Sequence, residues 1–228
     1  MGNLCIIPAR GGSKRIPRKN IKDFLGKPII AYSIETALQS GLFDEVMVST
    51  DDEEIAEVAK KYGAKVPFFR SEENSGDYAT TADVLLEVIK KYEKSGKQFD
   101  DICCVYPTAP LVSSKHLQEG YRKFKYEERD TVFPVVAYTY PIWRGLLMDG
   151  EGKSSMIWPE NRNVRSQDLE TVYHDAGQWY WVQNQAFNEQ KRLFTENSSS
   201  IILSSLEVQD IDLSSDWTIA EIKFSMLK

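Results

Sequence analysis

The sequence predicts an α/β protein with a mostly parallel sheet covered by helices on both faces. The chain opens with a strand–helix–strand–helix pattern, in which short apolar runs alternate with segments of helical periodicity. Its 228 residues, 42% hydrophobic and 27% charged, suit one α/β domain with an ordinary core. A glycine-containing loop directly follows the first apolar run, at the sheet edge where open α/β folds gather ligands.

Apolar runs and helical segments continue to alternate along most of the chain. Four runs are typical of strands: residues 4–7, 45–49, 102–106 and 131–138. Helix starts are indicated by Pro28, by Asp51 or Asp52, and by a capping box formed by Thr80 and Asp83. Helix ends are indicated by Gly41 and Gly63. Pro134 interrupts the fourth run, which predicts an edge strand or a bulge, because proline cannot donate to a strand ladder.

Residues 140–165 differ from the rest of the chain. They are rich in Trp, Pro, Gly and Asn, with weak periodicity, and predict an excursion from the main sheet, such as a hairpin used in dimerisation. Residues 201–203 then form a short strand, and a C-terminal helix begins near Ser214 or Ser215. Because no internal repeat or long linker is visible, we predict a single domain over residues 1–228, and the excursion favours a homodimer.

Charge and composition exclude several classes of protein. A net charge of −6 and a pI of about 5.2 argue against general binding to nucleic acid or to anionic membranes. No run approaches the roughly 20 apolar residues of a membrane helix, and no signal peptide is visible. Cys5, Cys103 and Cys104 lie in apolar runs without a disulfide spacing, which favours reduced thiols and a cytoplasmic location.

The loop over residues 10–20 concentrates positive charge on this acidic protein. Five of the ten residues from Arg10 to Lys19 are Arg or Lys. Gly11 and Gly12 can adopt positive φ and turn N–H groups inward as an anion nest, while the bases supply phosphate ligands. A basic surface loop or a short nucleic-acid patch is the alternative. The position after a strand favours phosphate binding, although neither a P-loop nor a dinucleotide fingerprint is present.

Asp210 and Asp212 alternate around Ile211 near the C-terminus. On a strand this spacing points both carboxylates to one face, and two carboxylates with substrate phosphates suit Mg²⁺. The alternative is a polar strand end whose acids cap the following helix, and the spacing alone favours that alternative.

Together these motifs resemble those of the sugar-acid cytidylyltransferases, which activate sialic acids and Kdo with CTP, and most closely the pseudaminic acid branch. The resemblance implies a Rossmann-like nucleotidyltransferase fold and transfer of CMP from CTP to the anomeric hydroxyl of pseudaminic acid, with Mg²⁺ as cofactor. It leaves open the same reaction on N-acetylneuraminic, legionaminic or Kdo acid. From another class, a nucleotide-sensing binding protein is the alternative.

The resemblance also implies roles for individual residues. Catalysis falls to Arg10, Lys19 and Asp212, and the metal to Asp210 and Asp212. CTP binding falls to Arg10, Gly11, Gly12, Ser13, Lys14, Lys19, Asn20, Arg70, Asp77, Ala79 and Thr80. The sugar acid is assigned to Tyr106, Thr108, His174, Asp175, Gln178 and Trp179. Without the resemblance, residues 74–80 are as well explained by a surface loop that Thr80 caps.

The sequence departs from that of the sialic acid enzymes in three places, all in the part of the motif set that the resemblance assigns to the sugar. Tyr106 stands where those enzymes carry Gln, and Val112 and Ser113 lie where an Arg is expected. The run over residues 173–180 replaces an Arg-Pro-Asn-Gly-type sequence. Since the nucleotide side is unchanged, these departures favour a different nonulosonic acid.

Overall fold

The structure, a computed structural model, describes residues 2–227. The strands are β1 (Gly2–Pro8), β2 (Asp23–Phe24), β3 (Lys27–Pro28), β4 (Glu45–Ser49), β5 (Phe99–Val105), β6 (Thr131–Ala137), β7 (Leu146–Met148), β8 (Ser154–Met156), β9 (Tyr173–Asp175), β10 (Trp179–Gln183) and β11 (Ser198–Ile202). The helices are α1 (Ile29–Ser40), α2 (Glu53–Lys61), α3 (Glu72–Ser75), α4 (Thr81–Lys94), α5 (Ser114–Tyr126), α6 (Asn184–Gln190) and α7 (Ser214–Leu227).

One mainly parallel sheet forms the centre of the fold. Its strand order is β11-β6-β10-β5-β1-β4, with β9 beside β6. Strands β4, β1, β5, β6 and β11 run in one direction, while β9 and β10 run against them. The predicted α/β class is therefore confirmed, and the carboxyl ends of the five parallel strands meet at one edge of the sheet.

Both faces of the sheet are covered, as the continuous apolar strands predict. Along β1, Cys5 and Ile7 belong to a buried cluster with residues of α1, α2 and α5. Leu4 and Ile6 belong to a second cluster with residues of α4 and α6. The alternation follows from the two-residue period of a strand, which sends successive side chains to opposite faces.

The helix ends follow the local signals in the sequence. Asp52 caps α2 by accepting a hydrogen bond from the backbone N–H of Ile55 at 3.0 Å. Thr80 and Asp83 form the predicted capping box of α4. Gly41 ends α1 in the left-handed region, with φ of 68°. These contacts involve residues within four positions of each other, so the sequence alone predicts them.

Strand β6 is not at an edge, which corrects one of the two expectations for Pro134. It lies between β11 and β10 in the sheet. Pairing with β10 covers Thr131 and Val132, and pairing with β9 begins at Val135, so Pro134 lies beside the break between these two strands. A missing N–H at this position therefore costs the ladder little, although the pairing of β6 with β11 runs through Pro134 without the expected bulge.

A third buried cluster attaches the C-terminal helix beside the first loop of the sheet. Trp217 and Ala220 of α7 pack with Ile16, Phe24 and Ile211. The rings of Phe24 and Trp217 meet edge to face, with centroids 5.5 Å apart. Such an aromatic pair stabilises by about 0.5–1.5 kcal/mol beyond its buried area. The cluster brings residues 210–212 next to the loop over residues 10–20.

The predicted excursion is a hairpin of β7 and β8 that pairs outside the main sheet. The backbone N–H of Tyr138 donates to the carbonyl oxygen of Val172 at 3.0 Å, so the excursion spans more than the predicted residues 140–165. Leu146, Leu147 and Met148 are each at least 60% exposed. Its role in dimerisation stays a prediction. Across residues 2–227, no helix has the length and apolar character that crossing a bilayer requires.

We predict that Gly120→Ala destabilises the fold. A Cβ at this position of α5 would lie 2.2 Å from the Cη2 atom of Trp179, whose side chain is fully buried. Accommodating it requires the ring to move, at a cost of roughly 1–3 kcal/mol. Thermal unfolding measures the effect, and Gly150→Ala, where a Cβ meets no atom within 4 Å, is the control. Equal unfolding temperatures of the two variants would contradict this account.

Candidate active site

A cavity of about 550 Å³ opens at the carboxyl edge of the sheet. It lies between the loop over residues 10–20, the segment that connects α2 to α4, the loop that follows β5, and residues 210–212. Most of the residues predicted for the site line it: Arg10, Ser13, Lys14, Lys19, Asn20, Arg70, Asp77, Ala79, Thr80, Tyr106, Thr108, Asp210 and Asp212. The fold thus brings together groups that are separated by up to two hundred positions in the sequence.

The basic loop has a defined shape that two side chains maintain. Asn20 is buried, and its Nδ2 atom donates to the carbonyl oxygen of Arg10 at 2.9 Å, which closes the loop across ten residues. Arg18 has a left-handed φ of 53° and donates from both Nη atoms to the carboxylate of Asp52. The hydrogen bonds of this pair raise the pKa of Arg18 and lower that of Asp52. Arg18 therefore attaches the loop to α2 and is not a freely solvated charge.

The predicted anion nest at Gly11 and Gly12 is wrong. Neither glycine has a left-handed φ, and neither lines the cavity. The N–H of Gly11 donates to the Oδ1 atom of Asp51 at 2.9 Å. Gly11 is needed for a different reason, because a Cβ would lie 2.7 Å from the Oδ2 atom of Asp52. The loop therefore presents side-chain cations to the cavity, and the N–H of Gly11 is directed to Asp51 instead.

Two carboxylates hold the cations of the cavity. Arg10 Nη1 lies 2.9 Å from Asp77 Oδ1, and the ammonium of Lys14 donates to the same carboxylate. Hydrogen bonds from Lys14 and then Arg10 lower the pKa of Asp77. On the opposite side, Arg15 Nη2 donates to Asp212 Oδ1 at 2.7 Å. A polyphosphate that entered the cavity would compete with these carboxylates for the same donors.

Lys19 joins the basic loop to the C-terminal segment. Its Nζ atom donates to the carbonyl oxygen of Ile211 at 2.6 Å and lies 3.8 Å from Asp212 Oδ1. Burial lowers the pKa of this ammonium, against the opposing influence of Asp212 and Asp210. Lys19 is therefore a partly desolvated cation at the floor of the cavity, where electrostatic interactions are stronger than in bulk water.

Asp210 and Asp212 both line the cavity although residues 210–212 form no strand. Ile211 between them is fully buried in the α7 cluster, so the alternation predicted from the sequence holds. Helix capping is performed instead by Asp216, whose Oδ2 atom accepts from the N–H groups of Asp212 and Leu213 at 3.0 and 2.7 Å. The capping alternative for Asp210 and Asp212 is therefore wrong.

The two carboxylates fit a divalent cation that also binds phosphate. Partial burial, and then the charge of Asp212, raises the pKa of Asp210, so a cation between them would relieve an unfavourable charge. Among residues 2–227, no cluster of three or more His, Cys, Asp or Glu side chains could hold a metal by itself. Mg²⁺ commonly binds through one or two carboxylates with substrate phosphates completing its shell, so this donor set suits it.

The loop over residues 70–77 is anchored at Arg70, Ser71 and Asn74. Arg70 Nη2 donates to the carbonyl oxygen of Ser49, the last residue of β4, at 2.6 Å. Glu87 on α4 accepts from Ser71 N and Oγ, both at 2.9 Å, and from Asn74. Although burial alone would raise the pKa of Glu87, its hydrogen bonds, led by that from Lys91, lower it to about 2. The loop therefore has a fixed position beside the cavity.

Thr80 combines the two interpretations that the sequence left open. Its hydroxyl and its backbone N–H both bond the carboxylate of Asp83 in the capping box. Thr80 and Ala79 also line the cavity. Because the box already engages the N–H of Thr80, that group is not free to donate to a ligand.

Tyr106 and Thr108, in the loop that follows β5, also line the cavity. The Tyr106 hydroxyl lies 3.4 Å from Thr81 Oγ1, and the rings of Tyr106 and Tyr180 are 5.4 Å apart. Burial raises the pKa of Tyr106. The Tyr180 hydroxyl donates to Asp175 Oδ2. Asp175 is thus connected to the cavity through the two tyrosines and does not line it itself.

Three predicted sugar contacts lie elsewhere in this structure. His174 is exposed and packs on Tyr138, with ring centroids 4.7 Å apart. Gln178 and Trp179 are buried and do not line the cavity. For Trp179 the reason is strand alternation, because its side chain faces α5 while that of the next residue, Tyr180, faces the α4 side. Tyr180 does not line the cavity either, but its ring lies 5.4 Å from that of Tyr106, which does.

The cavity also contains residues that were not predicted. Arg15, Thr81 and Val84 line it. Arg15 belongs to the basic run, but the sequence offers no way to know that Asp212 lies opposite it. Thr81 and Val84 begin α4, and only the position of this helix beside the sheet edge reveals them.

Comparison with known proteins gives a consistent result across the chain. The sequence model of a family described as cytidylyltransferase matches residues 4–214. A pseudaminic acid cytidylyltransferase of Campylobacter jejuni is 46% identical over 226 residues, covering 99% of this chain and 97% of that protein. A bifunctional pseudaminic acid cytidylyltransferase and hydrolase of Helicobacter pylori is 40% identical over 92% of this chain and 40% of its own length. A CMP-N,N'-diacetyllegionaminic acid synthase of Legionella pneumophila is 32% identical over 96% of this chain and 94% of its own length.

Solved structures support the same fold. CMP:2-keto-3-deoxy-manno-octonic acid synthetase in complex with CTP superposes with a TM-score of 0.73 at 16% identity, covering both chains completely. The 4-diphosphocytidyl-2C-methyl-D-erythritol synthase of Anaerococcus prevotii gives a TM-score of 0.65 at 13% identity, over 98% of each chain. The match to the family's sequence model extends from β1 to the first residue of α7 and includes every loop that lines the cavity. This chain therefore belongs to the cytidylyltransferase family.

Proposed function

We propose that this chain transfers CMP from CTP to the anomeric hydroxyl of pseudaminic acid, giving CMP-pseudaminic acid and pyrophosphate. The observation that carries the proposal is the 46% identity to the Campylobacter jejuni pseudaminic acid cytidylyltransferase over almost the whole chain. The cavity supports it chemically, because its cations and its two carboxylates suit a polyphosphate substrate. A nonulosonic sugar acid and CTP are thus the proposed small-molecule partners.

The nucleotide would occupy the side of the cavity next to the basic loop. We assign the triphosphate to Arg10, Ser13, Lys14, Lys19 and Asn20, all of which line this side. The cytidine would lie against Arg70, Ala79 and Thr80, on the loop that Glu87 holds. Asp77 already binds Arg10 and Lys14, so we propose that the triphosphate displaces its carboxylate.

The reaction is an in-line displacement at the α-phosphorus. The anomeric hydroxyl loses its proton and its oxygen bonds to the α-phosphorus, while the bond from that phosphorus to the bridging oxygen breaks and pyrophosphate leaves. Sugar and pyrophosphate must therefore lie on opposite sides of the α-phosphorus. Lys19 is the cation that we place beside the α-phosphate, because positioning and charge stabilisation supply most of the catalysis in phosphoryl-type transfers. Arg10 would stabilise the leaving pyrophosphate.

Asp210 and Asp212 are the residues that would hold Mg²⁺. When bound, Mg²⁺ neutralises phosphate charge and makes the α-phosphorus easier to attack. The protein contributes the two carboxylates and the contact of Lys19 with Ile211 that keeps them at the cavity. Arg15 would be released from Asp212 when this site is filled.

The sugar acid would occupy the side lined by Tyr106 and Thr108. Pseudaminic acid carries a second acylamino group and a terminal methyl, which require amide partners and apolar surface. The Tyr106 ring offers the apolar surface, and Tyr180 with Asp175 fixes the orientation of that ring. The CMP-N,N'-diacetyllegionaminic acid synthase of Legionella pneumophila is less similar, at 32% identity. We therefore propose legionaminic acid as the second candidate substrate.

The remaining proposals concern organisation and location. We propose that residues 1–228 form one domain, of which Met1 and Lys228 lie outside the described residues. The exposed apolar side chains of the β7–β8 hairpin support a homodimer through this excursion. Cys5, Cys103 and Cys104 are free and buried, in keeping with a cytoplasmic location.

The substrate assignment predicts a strong preference among sugar acids. With CTP and Mg²⁺, kcat/KM for pseudaminic acid should exceed that for N-acetylneuraminic acid at least about a hundredfold, since each mispaired buried polar group costs ~1–3 kcal/mol and several differ between the two acids. Pyrophosphate release with pseudaminic, legionaminic, N-acetylneuraminic and Kdo acids measures this. Equal turnover of the first and third acids would overturn the sugar assignment, and absence of pyrophosphate with all four would overturn the reaction.

The role of Lys19 predicts a separation of kcat from KM. Lys19→Met keeps the length of the side chain and removes its charge, so kcat should fall by roughly a hundredfold or more while KM for CTP changes much less. Steady-state rates at saturating sugar acid measure both constants. Lys60→Met, on an exposed residue of α2, is the matched control. A variant with normal kcat and a raised KM would make Lys19 a ground-state anchor.

A further inference from the structure

The segment of residues 207–212, here called the carboxylate segment, carries Asp210 and Asp212 to the cavity. After a short 3-10 turn that ends at Glu207, residues 208–212 belong to no helix or strand. No sheet ladder therefore fixes the direction of the two carboxylates. Something else must hold the segment, because a metal site requires its ligands to be closely positioned.

Side chains from three separate elements bind backbone carbonyl oxygens of this segment. Gln178, just before β10, donates from Nε2 to the oxygen of Glu207 at 2.6 Å. Lys223 of α7 donates from Nζ to the oxygen of Val208 at 2.6 Å. The third donor is Lys19, which binds the oxygen of Ile211, also at 2.6 Å. Each donor reaches the segment from 15 or more positions away.

The side chain of Gln178 is only 2% exposed, so both polar atoms of its amide need hydrogen-bond partners within the protein. Its Oε1 atom is buried and has no hydrogen-bond partner among residues 2–227. An unpaired buried acceptor destabilises a protein. The amide of Gln178 therefore makes its hydrogen bond through Nε2, to the carbonyl oxygen of Glu207.

Lys223 is the second side chain that donates a hydrogen bond to the carboxylate segment. Burial lowers the pKa of its ammonium, so water compensates poorly for a lost acceptor there. Lys223 is a residue of α7, and Trp217 and Ala220 of the same helix pack with Ile211 in the third cluster. The helix therefore fixes the carboxylate segment both by burying Ile211 and by binding the oxygen of Val208.

We propose that Gln178 and Lys223 are positioning residues, which aim Asp210 and Asp212 at the cavity by binding the carbonyl oxygens of Glu207 and Val208. This inference rests on the proposed function in one respect, namely that the two carboxylates hold Mg²⁺. Gln178, assigned to the sugar by sequence resemblance, then acts on the carboxylate segment instead. Neither residue lines the cavity.

The test uses Gln178→Met, Lys223→Met and their combination in the full chain. Each removes one donor and keeps side-chain length. Gln185→Met and Lys90→Met, on exposed residues of α6 and α4, are the matched controls. Lys223→Arg retains a donor and tests for rescue. If Lys223→Met does not fold, Gln178→Met carries the test together with Gln178→Glu, in which an acceptor faces the Glu207 oxygen.

The first readout is hydrogen exchange of the free protein, which needs neither metal nor activity. We expect the backbone amides of residues 208–213 to exchange faster in Gln178→Met and in Lys223→Met than in the wild type. Exchange in strand β5 should be unchanged. Gln178→Met should leave the unfolding temperature nearly unchanged, because it also removes the unpaired Oε1 atom. Unchanged exchange at residues 208–213 in the combined variant would overturn the proposal.

The second readout is metal binding. Mn²⁺ titrated into enzyme saturated with α,β-methylene-CTP should bind roughly two- to tenfold more weakly in each variant, as the loss of one hydrogen bond implies. The Mg²⁺ concentration for half-maximal rate should rise by the same factor, and saturating Mg²⁺ or Lys223→Arg should restore kcat. Asp210→Asn gives the reference for loss of a ligand.

The outcomes separate this inference from the proposed function. Mn²⁺ and Mg²⁺ curves that coincide with those of the wild type would overturn the positioning role while leaving the reaction intact. A wild-type enzyme that releases no pyrophosphate with any sugar acid would overturn the function, and hydrogen exchange and Mn²⁺ binding would still decide the positioning role. A kcat loss that saturating Mg²⁺ does not restore would also contradict positioning.

Discussion

The site depends on the pairing of its cations with carboxylates of the same chain. Asp77 binds Arg10 and Lys14, and Asp212 binds Arg15 beside Lys19. A loop with this much positive charge on a protein of net charge −6 would otherwise repel itself. The carboxylates keep the donors at one cavity, so a triphosphate bound as we propose would meet groups that are already arranged.

The contact of Lys19 with Ile211 connects that charge arrangement to the fold. It joins positions 192 residues apart and closes the cavity between the loop after β1 and the carboxylate segment. The buried cluster that contains Ile16, Phe24, Ile211 and Trp217 packs the two segments against each other next to this contact. Because α7 contributes to that cluster and also supplies Lys223, the C-terminal helix is part of the site although it lines none of the cavity.

The sequence predicts the parts of this structure that depend on neighbours in the chain. The cap at Asp52, the box at Thr80 and the end of α1 at Gly41 involve residues only a few positions apart. The predictions fail where a distant partner decides. Gly11 was expected to form a nest, but Asp51 takes its N–H, and Trp179 was expected at the sugar, but strand register turns it toward α5. Hydrophobic pattern alone could not separate Trp179 from Tyr180, since both faces of β10 are buried.

The affinity of Asp77→Asn for CTP tests the central claim most directly. If the Asp77 carboxylate holds the place of a phosphate, removing its charge frees Arg10 and Lys14, and calorimetry should find CTP binding about two- to fivefold tighter, with the gain shrinking at high salt. Weaker binding of CTP by this variant, at every salt concentration, would show that Asp77 contacts the nucleotide and would contradict the account.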